Sequence, residues 1–72
     1  MKLYTIEGAA KRLGVHVQTI KHRMWTQGTL VPSYQLIRFG VVAYEEKRAK
    51  DPGVRSLFTE GDLGIGEGQA GQ

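Results

Sequence analysis

Cysteine is absent from the 72-residue chain, which excludes a disulfide framework and a thiolate metal site and suits the reducing cytoplasm, the expected location. Long apolar runs are missing as well. No stretch approaches the roughly 18 apolar residues of a membrane span, and Met1–Glu7 carries an early lysine but no apolar segment of the kind a signal peptide needs. The most apolar stretch, Phe39 to Tyr44, contains a glycine and reads as core. Groups for catalysis are scarce. Ser33 and Ser56 are the only serines, and no Ser-His-Asp arrangement can be built around them. His16 and His22 fall on different faces of a helix with no carboxylate at ligand spacing, so no shared metal is expected. Glu45 and Glu46 are adjacent and diverge, a poor acid–base pair. The expectation is a protein with no enzymatic activity, no cofactor and no small-molecule effector. A chain this short forms one domain at most and buries only roughly 60% of its unfolded surface.

What is present is basic charge, unevenly placed. Residues 1–50 carry nine Lys/Arg against three acids, a net +6, whereas residues 51–72 carry one against four, a net −3. A basic body with an acidic end points to a polyanionic partner, nucleic acid being the commonest, or to ordinary surface charge kept for solubility.

Two short helices are expected first. Thr5 is placed to N-cap a helix in which Glu7 complements the positive end of the dipole, although Gly8 leaves the capping box incomplete. Ile6, Ala9, Ala10 and Leu13 share one face, Lys11 and Arg12 fall off it, and Gly14 sits where a left-handed C-terminal glycine belongs. After a turn at Val15–Val17, with His16 in the N-cap place, a second helix should run from about Val17 to Gln27 and end at Gly28. Ile20, Met24 and either Gln27 or Trp25 would face inward, leaving Gln18, Thr19, Lys21, His22 and Arg23 outside. Beyond it we expect a small hairpin, Leu30-Val31 joined through Pro32-Ser33 to Tyr34–Phe39. A third helix over Gly40–Lys50 would then place Val41 and Tyr44 inward, with a Glu46–Lys50 pair, and Asp51-Pro52-Gly53 would stop it. The organisation expected is therefore a domain over 1–52 followed by an acidic, Gly-rich, partly flexible tail over 53–72. Within that tail Val54, Leu57, Phe58 and Leu63 form a short docking segment, and Thr59 is a candidate N-cap. Gly66–Gly71 spells G-x-G-x-x-G but lacks the strand, helix and distant acid of a dinucleotide site, and reads as tail.

The residues Thr5, Ala9, Ala10, Leu13, Gly14, Val15, Thr19 and Ile20, followed more loosely by Gly28, Leu30 and Pro32, resemble the winged helix-turn-helix of the MerR and phage-excisionase superfamily. The likeness covers about the first fifty residues. It implies a mainly α fold with a small β-hairpin, the wing, and a function in binding double-stranded DNA. His16 and Val17 depart from the Ser, Asp or Arg often found there, and the stretch after Ile20 is about one residue longer than usual. Arg38 is the only basic residue in a wing that elsewhere carries several arginines.

An exposed helix face fits the major groove, where Gln18 can pair with adenine, Lys21 or Arg23 with guanine, and His22 with a base or a phosphate. Thr19, Lys2, Lys11, Arg12, Tyr34 near the hairpin tip, and Arg38 are the candidate phosphate contacts. Each has a plainer alternative: a solvated helix face for Gln18, Lys21 and His22, packing for Trp25, Tyr34 and Tyr44, and a back-bonded hydroxyl for Thr19. Three functions fit. The first is an excisionase that binds and bends DNA cooperatively, self-associates on it and recruits an integrase or other recombinase. The second is a small transcriptional regulator, and the third is a protein-interaction module on the same scaffold.

Overall fold

The computed structural model describes residues 2–65, and the G-x-G-x-x-G stretch lies outside them. Helix α1 spans Ile6–Leu13, and α2 spans Val17–Lys21 before widening into a π-helical turn over His22–Thr26. A sheet follows: β1 (Tyr34–Ile37), β2 (Gly40–Ala43) and, after a 3-10 turn at Glu46–Arg48, β3 (Arg55–Leu57). The strand order is β2-β1-β3, antiparallel throughout. The molecule is thus two helices packed with a small antiparallel sheet. Among the described residues no helix is long and apolar enough to cross a membrane.

Local chemistry explains the helical pair. The Thr5 hydroxyl accepts from the Gly8 N–H at 3.1 Å, and Gly14 takes φ 70°, which ends α1 without the steric cost a Cβ would bring. His16 caps α2 through its ring: Nδ1 accepts from the Gln18 N–H at 3.1 Å, a role usually filled by a shorter polar side chain. The helix then loses its α register at His22, whose carbonyl accepts from the Gln27 N–H five residues on. Ile20 is fully buried as expected, but Trp25 is 64% exposed, which corrects the expectation that it packs inward.

The second half departs from expectation at three places. First, the hairpin turn falls at Arg38-Phe39, not Pro32-Ser33. The N–H and hydroxyl of Ser33 both donate to the Asp62 carboxylate, at 3.0 and 2.8 Å, so the 30–33 segment is tied to the turn at 59–62. Second, the expected helix over Gly40–Lys50 is replaced by β2 and a single 3-10 turn. The β-branched Val41 and Val42 favour a pleated strand, and Gln35↔Val42 and Leu36↔Val41 are in register. Glu45, rather than Glu46, takes the ion pairs, with Lys47 at 3.5 Å and Arg48 at 3.8 Å.

Third, the packed structure does not end at Pro52. β3 adds to the sheet, Tyr4 and Phe58 exchange two backbone hydrogen bonds of 2.8 Å, and Phe58 is fully buried. The core cluster joins Tyr4, Ala9, Ala10, Ile20, Leu30, Phe58 and Leu63, so both ends of the described chain meet in it. Thr59 and Asp62 bond reciprocally as in a capping box, with Asp62 also holding Ser33. Among the described residues Gln35 is the one buried polar residue, and its amide accepts from the Glu45 N–H and donates to the Glu45 carbonyl. That pairing holds the chain extended beyond β2.

Candidate nucleic-acid interface

The outer face of α2 is built by helical phase. Gln18, Lys21, His22 and Trp25 stand at i, i+3, i+4 and i+7, one stripe of the helix. Together with Thr26 they line an open depression of about 220 Å³. Around the flank a second depression of about 330 Å³ brings Lys21 and Trp25 beside Glu7 of α1 and Arg55 of β3. The stripe therefore offers an amide, a cation, an imidazole and an indole on one surface. Between Glu7 and Glu45 the chain contains no acid and five bases (Lys11, Arg12, Lys21, Arg23 and Arg38), so the stripe itself carries no carboxylate, while Glu7 borders it on the flank.

The candidate residues do not all gather here. Gln18, Lys21 and His22 are brought together. Arg23 is half-buried, does not line the depression, and lends its carbonyl to the N–H groups of Thr29 and Leu30. Thr19 is half-buried at the edge of the stripe. Lys11 and Arg12 are exposed in the last turn of α1, and Lys2 lies over the Tyr4 ring at 5.6 Å from its centroid. Tyr34 is not near the hairpin tip: it starts the central strand, opposite Ala43 and Leu57. Arg38 is at the tip, held at φ 53°, a conformation few non-glycine residues adopt.

Trp25 and Phe39, both expected from the sequence to pack inside, lie on the surface. Trp25 shares the phase of Gln18 and Lys21, and that spacing was the signal available. Phe39, at the hairpin tip beside Arg38, is 103% exposed, and no sequence pattern announces it.

Comparison with protein-family models, curated proteins and solved structures returns no match.

Proposed function

We propose that this chain is a small, non-catalytic, cytoplasmic winged helix-turn-helix protein that binds double-stranded DNA. In this reading α2 enters the major groove and the β1–β2 hairpin serves as the wing. One observation carries it: the stripe of Gln18, Lys21, His22 and Trp25, none of them acidic, along one face of α2 and the π-helical turn that extends it. Gln18 and Lys21 carry the amide and cation suited to base edges, and Trp25 adds an amphipathic ring for sugar or thymine-methyl contact. Lys11 and Arg12 supply phosphate contacts that set orientation. The resemblance of Thr5 through Ile20 to excisionases makes a recombination directionality factor the favoured role, with a transcriptional regulator as the alternative.

The test is duplex binding measured across a series of salt concentrations. Binding should weaken steeply with salt, and Lys21→Ala should flatten the log–log slope by about 0.9 for a phosphate contact, or relax preference at one base pair for a base contact. Binding that ignores salt and is untouched by Gln18→Ala, Lys21→Ala and Trp25→Ala together refutes the assignment. Tandem direct sites with bending would support excision.

A second reading has its own support. Exposed Trp25, Phe39 and Val41 are apolar surface of the kind protein interfaces use. A protein-interaction module would bind its partner with weak salt dependence.

A further inference from the structure

The tip of the β1–β2 hairpin is built from residues that do not serve the fold. Ile37 pairs with Gly40, so Arg38 and Phe39 are the two turn residues. Arg38 stands at φ 53°, the only non-glycine at positive φ among the described residues, and Phe39 is not at positive φ. That order of signs belongs to a type II′ turn, whose first central place is ordinarily glycine. Phe39 follows where a small polar residue is usual, and at 103% exposure no part of the fold covers its ring. Arg38 is exposed too, and belongs to no ion pair among the described residues. A residue held in a sparsely populated conformation points to a use for the side chain it carries. Here the two turn residues present a cation and an apolar ring side by side at the end of a projecting ribbon.

We propose that Arg38-Phe39 is a minor-groove wedge: the Phe39 ring enters a base step of double-stranded DNA and kinks it, with Arg38 seated in the same groove. The inference rests on the DNA-binding reading of α2. Charge, reach and width select this occupant. From Tyr34 to Tyr44 the hairpin contains no acid, so Arg38 meets a polyanion unopposed. Trp25, at the end of the α2 stripe, lines one depression with Tyr44 at the foot of the hairpin. From that foot, where Tyr34 pairs with Ala43, four residues of strand lead to the tip, about 13 Å at the rise of a strand. With α2 in the major groove, the neighbouring minor groove lies about 17 Å along the duplex, half of the helical repeat. The hairpin and the turn side chains beyond it span that distance. The minor groove is only about 6 Å wide, which admits two turn side chains but not the ribbon behind them. Its negative potential suits a guanidinium, and apolar side chains inserted from that groove unstack a base step and bend the duplex. Pyrimidine–purine steps, TA above all, open most readily. The wedge therefore gives the protein a preference at a step where no side chain reads a base edge.

The test uses the full chain and two duplexes made of A·T pairs alone. In poly(dA-dT)·poly(dA-dT) every second step is a flexible TA, whereas poly(dA)·poly(dT) is stiff and has no pyrimidine–purine step. Phe39→Ala should weaken binding to the alternating duplex about tenfold and to the homopolymer less than about twofold. Lys21→Ala, in the α2 stripe, should weaken both alike. 2-Aminopurine placed at the TA steps should brighten as the parent unstacks them and stay dark with Phe39→Ala. Phe39→Leu, still an apolar wedge, should keep most of that signal. Arg38→Gly suits the turn, so its urea midpoint should be no lower than the parent's while its binding to both duplexes falls. A parent that binds neither duplex overturns the DNA-binding reading and the wedge with it. A parent that binds but does not brighten the probe overturns the wedge alone. So does a Phe39→Ala variant with equal losses on both duplexes, or with none, the result expected of a ring kept for a protein partner.

Discussion

Phe58→Ala should bring the molecule close to unfolding, although Phe58 lies six residues beyond the point where the sequence suggests the domain ends. The ring is fully buried in the cluster with Tyr4, Ala9, Ala10, Ile20 and Leu30, and its backbone is fixed by two hydrogen bonds to Tyr4. Truncating a phenylalanine in such a site removes the transfer free energy of the ring and leaves a cavity, at a cost of about 3–5 kcal/mol. A chain of 72 residues has only about 4–11 kcal/mol in all. The substitution thus removes between about a quarter and all of the stability. With a urea dependence of about 1 kcal/mol per molar for so small a domain, the midpoint should fall by about 3 M or more. Far-ultraviolet circular dichroism is the suitable probe, because Trp25 is already 64% exposed and reports unfolding poorly. Phe39→Ala provides the control: the same side chain is lost from a fully exposed site, and in dilute protein the change should stay within about 0.5 kcal/mol. Equal midpoints for the two variants would refute the placement of Phe58 in the core. The same reasoning predicts that a chain cut after Pro52 is unfolded.

Gly14→Ala should cost about 1 kcal/mol by urea titration: φ is 70° and no atom lies near the added Cβ, so the cost is conformational rather than a clash. Gln35→Leu keeps the volume but strands the N–H and carbonyl of Glu45, which should cost about 1–3 kcal/mol and loosen the end of β2, visible as faster amide exchange at Glu45. Asp62→Ala removes the acceptor shared by Ser33 and Thr59 and should cost about 1–2 kcal/mol; a loss no larger than that of Ser33→Ala would show that the Thr59 half of the arrangement contributes nothing.

The parts of the fold legible in the sequence are those decided within one turn of helix. Thr5 and Gly14 bracket α1 by local chemistry, and Ile20 follows from phase. The sheet is different because its partners are distant. Over 40–44 the apolar residues fit either a helical or an extended period, and only the pairing with 34–37 decides between them. The turn at Arg38-Phe39 carries no turn residues, since Arg38 adopts its left-handed conformation under the constraint of the two strands. Pro32-Ser33 has turn chemistry but is captured by Asp62, a contact 29 residues away. β3 was visible only as scattered apolar residues after Pro52. At the candidate site Gln18, Lys21 and His22 were legible from helical phase. Trp25 had the same phase, but its apolar ring argued for the interior and concealed its place on the stripe.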